Sequence, residues 1–195
     1  AVLVGLSIFG MTKIRVLGYV VDDLPEEDPV YVDLKYFEEN FKGVLPFEIT
    51  IDTKEKEGVF ANNGRALYKI KKLYRLLAKP EYDSIFSRPL SVVDGIMFSY
   101  QAYKDGKPKF YRLPGALDLK KLSEYANGND TKHTSFSAFL DTTHQHARVS
   151  VQMADIGSHR IKALVEELSP RIDSVFNYNK REKAWLSENE KYGLF

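Results

Sequence analysis

Apolar positions along this chain recur at two distinct periods. In "PVYVDLKYFEENF", Val30, Leu34, Phe37 and Phe41 fall on one helical face, and Gly43 follows as a stop. Asp28-Pro29 stands just before, an acceptor side chain followed by a residue whose φ is already helical. The next stretch changes period. In "PFEITID", Phe47, Ile49 and Ile51 alternate with Glu48, Thr50 and Asp52, which predicts a half-buried strand. After the turn "KEKEG" and the breaker "NNG", the segment "RALYKIKKLYRLLAK" places Ala66, Ile70, Leu73, Tyr74 and Leu77 on one helical stripe, with Pro80 as its end.

The middle of the chain reads as mainly helical. Ser91 and Asp94 have capping-box spacing, and Val93, Ile96, Met97 and Tyr100 follow at helical intervals. "KDGKPKFYRLPG" predicts a turn-rich connector. "ALDLKKLSEYA" predicts a short helix with Leu119, Leu122 and Tyr125 inward, and "NGND" a turn. "TSFSAFLD" is compatible with strand or helix. The second clear unit comes later. "HARVSVQMADIG" alternates with Ala147, Val149, Val151 and Met153 on one face. Ser158 is placed as an N-cap for a helix whose stripe is Ile161, Leu164, Val165, Leu168, Ile172 and Val175. Pro170 lies within that pattern and is expected to kink or end it, because proline removes an interior hydrogen bond.

A strand and helix, then later another strand and helix, predict an α+β domain with a ferredoxin-like split βαβ unit and a helical insertion. One further strand is expected from the middle section. No closing strand can be read after Asn177, where "YNKREKAWLSENEKYGLF" is polar and charged; it is either missing or lies beyond Phe195.

The chain's opening stands apart. The first nine residues, "AVLVGLSIF", carry no charge, and the apolar run from Ala1 to Ile14 falls short of the about 20 residues that cross a bilayer. Its basic residues, Lys13 and Arg15, follow the run, whereas a secretory signal places them before it. Either the run is an integral strand or helix of the domain, or it is the outer end of a membrane helix.

Composition narrows the function. Of 195 residues, 28 are Lys or Arg and 27 are Asp or Glu, a net charge of +1 that gives no electrostatic case for nucleic acid. There is no cysteine, which excludes disulfides, thiolate nucleophiles and cysteine zinc sites. His144 and His146 would share a strand face, with Asp141 nearby and His133 as a conceivable third metal ligand. The plainer reading makes them polar strand residues beside Arg148, Ser150 and Gln152, and it is the one adopted. Asp22, Asp23, Glu26, Glu27 and Asp28 precede a helix N-terminus, where the dipole favours negative charge without any catalysis. Ser158, His159 and Asp155 supply triad residue types but are too close in sequence to face one another. No phosphate loop, dinucleotide fingerprint or nucleophile elbow is present. The expectation is therefore no catalytic, cofactor-binding or metal residue, and no enzyme.

Three ordered segments carry a family resemblance. "DDLPEEDPVYVDLKYFEENFKGVLPFEITIDT", "FSRPLSVVDGIMFSYQAYKDGKPKFYRLP" and "SFSAFLDTTHQHARVSVQMADIGSHRIKALVEEL" together resemble the first extracytoplasmic loop of transporters of the resistance-nodulation-division (RND) superfamily, in particular the MMPL-like exporters. The resemblance spans about Ala1 to Asn177. It implies that residues 1–14 are the outer end of a truncated transmembrane helix. It makes residues 15–177 a periplasmic porter-like domain, and 178–195 a polar linker or insertion before a missing strand and membrane helix. The implied function is the periplasmic part of an exporter of hydrophobic or amphiphilic compounds, at the bacterial inner membrane. Such a domain guides substrate and changes conformation during transport. The implied partners are the parent's membrane helices and second periplasmic loop, a hydrophobic or amphiphilic small-molecule or lipid substrate, and, in a homo-oligomer, further copies of the chain. The family's proton-relay acids lie in membrane helices, so none is carried over. The alternative is a free-standing soluble ligand-binding or sensor module with a ferredoxin-like core.

Overall fold

The structure is a computed structural model that describes Phe9 and residues 24–128, 138–179 and 182–195. Helix α1 spans Pro29–Phe41 and strand β1 Leu45–Asp52. Helix α2 covers Ala61–Leu77, followed by β2 (Leu90–Ser91) and α3 (Val92–Tyr103). A 3-10 turn at Pro108–Phe110 leads to α4 (Ala116–Gly128). Strand β3 is His146–Met153, α5 is Ser158–Asn177, and the chain closes with β4 (Tyr178–Asn179), β5 (Ala184–Trp185) and β6 (Gly193–Leu194).

The protein is α+β. Its main sheet has the order β2-β3-β1-β6, with every neighbouring pair antiparallel. β1 and β3 pair along their full lengths, from Leu45 opposite Met153 to Asp52 opposite His146. Each strand of this long pair is followed by a helix and a parallel strand two places away, an order compatible with the expected split βαβ unit. α3 and α4 form the helical insertion between β2 and β3.

Period-2 alternation decides which sheet face is buried. Ile49 and Ile51 of β1 and Ala147, Val149, Val151 and Met153 of β3 are all 5% exposed or less and form one apolar surface. Leu67, Ile70, Leu73 and Leu77 of α2 and Leu164, Leu168, Ile172 and Phe176 of α5 join them in one core. The other face carries Glu48, Thr50, Arg148, Ser150 and Gln152, and Arg148 reaches Glu48 at 3.3 Å.

The helix ends follow local chemistry. Asp28 Oδ1 accepts the Val30 N–H at 2.8 Å and caps α1. At its far end Lys42 adopts a left-handed conformation, and Gly43 follows at φ 133°. A Cβ on Gly43 would lie 2.2 Å from the Met153 carbonyl, so only glycine lets this turn meet the end of β3. α2 opens with three left-handed residues, Asn62, Asn63 and Gly64, so its right-handed run starts at Arg65 as the "NNG" breaker implies. Ser91 and Asp94 make the predicted capping box on α3.

Several expectations need correction. A closing strand exists: Gly193–Leu194 pairs with Ile51 and Asp52, and Thr50 and Phe195 exchange backbone hydrogen bonds of 2.8 and 3.0 Å. A two-residue strand leaves no period in a sequence, which is why residues 178–195 read as linker. Pro170 neither ends nor splits α5, which is assigned as one helix across it; Pro170 lies on the exposed side of that helix. Ser158 is the first helical residue and Gly157 the cap, with no side-chain capping bond. Val165 is 40% exposed and leaves the buried stripe, while Phe176, not foreseen, is fully buried. The α1 stripe is not core: Val30, Phe37 and Phe41 are each more than half exposed. Amphipathicity marks the apolar face of a helix but not what covers it.

Residues 1–8, 10–23 and the first half of "TSFSAFLD" lie outside the described residues, and so does the side chain of Tyr125. Phe9, within the apolar opening, is 62% exposed. Among the described residues no helix is long and apolar enough to cross a membrane.

Candidate functional site

The histidine loop lies at the end of the β1–β3 ladder. Strand pairing ends at Asp52 opposite His146, and the two chains leaving that pair are tied together beyond it. The Thr53 and Glu57 N–H groups donate to the carbonyls of Gln145 and Thr143, and the Val59 N–H donates to the His144 carbonyl. His144 sits at φ 53°, its Nδ1 2.7 Å from Glu57 Oε2 and its ring edge-on to Phe60 at 5.5 Å. His146 lies between two carboxylates, with Nδ1 3.3 Å from Asp141 and Nε2 3.6 Å from Asp52.

Asp141 organises this loop. Its burial would raise the carboxyl's pKa, but donors outweigh that: the Thr143 hydroxyl, the His146 N–H and ring, and the Gln145 N–H hold it well below the usual carboxylate range. These bonds also fold residues 141–146 into a tight turn entering β3. Asp141, His144 and His146 lie close together, but His144 and His146 do not share a strand face as expected: β3 begins at His146, and His144 sits in the turn before it with a left-handed backbone. His144 pairs with Glu57 and His146 with Asp141 and Asp52, and among the described residues no group of three or more His, Asp or Glu is placed to hold a metal ion. An open depression of about 340 Å³ beside them is lined by Thr50, Phe139, Asp141, His146 and Arg148. His133 lies outside the described residues.

The other candidates separate in the same way. Asp28 serves as the α1 cap, while Glu26 and Glu27 are exposed beside it. Asp22 and Asp23 lie outside the described residues. Asp155 Oδ1 accepts the Gly157 N–H at 3.1 Å and shapes the entry to α5. Ser158 and His159 are consecutive in its exposed first turn, pointing about 100° apart. That geometry gives no nucleophile–base pair.

Two buried polar arrangements escaped the sequence reading. In the first, the Tyr74 hydroxyl donates to Asp94 and lies 2.7 Å from Ser91 Oγ, while Arg88 donates to the free Asp94 oxygen at 3.1 Å. Burial and the Asp94 bond drive the Tyr74 hydroxyl far above its ordinary pKa. The capping-box spacing was the only sequence signal of this network. In the second, Lys69 is only 8% exposed. Its ammonium donates to the Phe176 carbonyl and stands 4.3 Å from the Tyr192 ring centroid. Burial first, then Arg65 and Lys72, lower its pKa to about 8. Tyr192 is held by Asn177, whose side chain accepts its N–H at 2.8 Å and donates to its carbonyl at 3.1 Å. These contacts fasten the C-terminal segment across α2 and α5.

Buried polar side-chain atoms among the described residues all have partners. The polar contacts described above cap helices and staple loops. Comparisons with family models, curated proteins and solved structures return no match.

Proposed function

We propose that this chain is the extracytoplasmic domain of an RND-type exporter of hydrophobic or amphiphilic compounds, resident at the bacterial inner membrane. The observation that carries the reading is the placement of the resembling segments. "LPFEITID" and "HARVSVQM", drawn from its first and last segments, form the central antiparallel pair of one sheet. In such an exporter the domain's work is positional and not catalytic. The core of sheet, α2 and α5, with α1 beside it, presents two surfaces to its surroundings: the polar sheet face with Glu48 and Arg148, and the outward face of α1. Differential packing of such surfaces in two states is what would let the domain guide an apolar passenger.

The test is the reading frame in which the chain is encoded. The proposal expects long apolar spans both before Ala1 and after Phe195. A stop codon directly after Phe195 would refute it and favour the soluble module.

A further inference from the structure

Helix α1 turns Tyr31, Leu34, Lys35 and Glu38 toward the domain, all four only partly covered. Glu38 Oε1 receives the Asp155 N–H at 3.3 Å, Glu38 pairs with Lys35 at 3.0 Å, and Lys42 pairs with Asp83 at 2.9 Å. No residue of α1 is buried. On its outward side, Val30, Tyr36, Phe37 and Phe41 are 51–60% exposed, and the Phe37 and Phe41 rings stack at 5.3 Å. Asp33 is exposed among them, one turn from Val30, Tyr36 and Phe37. A helix whose ion pairs lie on one side while Val30, Phe37 and Phe41 stay more than half exposed on another is arranged to meet something else.

Charge and size narrow the occupant. From Leu24 to Lys42 six carboxylates stand against two lysines, and both lysines are already ion-paired. An anionic lipid surface would be repelled by this rim. A helix of 13 residues is about 20 Å long and about 10 Å wide, far below the ~800 Å² that each partner of a stable dimer contributes. Those dimensions match one further helix laid along this face.

We infer that the outward face of α1 is a docking site for a cationic amphipathic helix of a partner polypeptide, with Phe37 and Phe41 as apolar anchors and Asp33 as the carboxylate that receives its Lys or Arg. The inference does not depend on the transport reading, since it rests on α1 alone.

The probe is a fluorescein-labelled Leu/Lys peptide of about 15 residues with one apolar helical face, titrated with the full chain and read by anisotropy. The expected result is saturable binding, weakened at least about tenfold by Phe37→Ser/Phe41→Ser and by Asp33→Lys. Phe98→Ser, at a site 67% exposed on α3, is expected to leave binding unchanged. Both α1 variants are expected to melt like the parent, because these side chains are not packed. Equal binding of a Leu/Glu peptide, or equal loss with Phe98→Ser, would overturn the inference. So would a collapse of Tm in the α1 variants. Self-association, or binding to phosphatidylcholine vesicles, that is lost with Phe37→Ser/Phe41→Ser would assign the face to a second copy or to lipid and overturn it too.

Discussion

Leu168→Ala tests the packing of α5 on the sheet. Leu168 is 1% exposed and lies in the core with Leu164, Ile172 and the inward residues of β1 and β3. Truncation removes three carbons from a filled interior, losing transfer free energy and leaving a cavity that relaxes only in part; the cost is about 2–5 kcal/mol. For a chain of this size each kcal/mol lowers Tm by about 2–4 °C, so a drop of about 4–20 °C is expected. Val165, one turn earlier on the same helix but 40% exposed, supplies the internal control. Val165→Ala loses little burial and gains helix propensity, so a change within about 1 kcal/mol is expected. Urea unfolding followed by circular dichroism measures both. Similar losses for the two variants, or less than about 1 kcal/mol for Leu168→Ala, would refute the orientation of α5.

Gly43→Ala forces a Cβ to within 2.2 Å of the Met153 carbonyl at φ 133°; strain and overpacking together should cost roughly 2–5 kcal/mol in the same assay. Tyr74→Phe removes one donor from the Ser91–Asp94 network but leaves Arg88 and the capping bonds, so a loss of about 1–2 kcal/mol is expected by urea unfolding. Lys69 gives a pH signature. Its folded pKa of about 8 lies below the ordinary 10.5, so between those values the unfolded chain holds more protons and stability rises with pH, by at most about 3 kcal/mol. Lys69→Met should flatten that rise in urea titrations from about pH 8 to about pH 10. Above that range Tyr74 and Tyr82, both raised in the folded state, pull stability down again.

Elements with a sustained period were legible in the chain. β1 and β3 alternate over eight residues each, and the α2 stripe is buried at every position foreseen. The α3 capping box was readable because Ser91 and Asp94 act within one turn. Features that depend on distant partners were not legible. Nothing local to Lys69 announces the Phe176 carbonyl 107 residues away, and nothing in Asn177 announces Tyr192. β6 is too short to show a period. Pro170 did not end the helix because Glu166, whose carbonyl it leaves without an N–H partner, is exposed to water. The two histidines were found by spacing, but spacing alone could not show that Glu57 would take one ring while Asp141 and Asp52 flank the other.

The absence of cysteine makes the central claim directly testable. Leu117 is 80% exposed on α4, so Leu117→Cys places a single accessible thiol on the domain. The full reading frame, with any cysteines elsewhere changed to serine, is expressed in its cell of origin and treated with a membrane-impermeant maleimide. The exporter reading predicts a membrane-fraction protein labelled at this position in intact cells. Labelling only after the inner membrane is broken, or recovery of the protein in the soluble fraction, would contradict it.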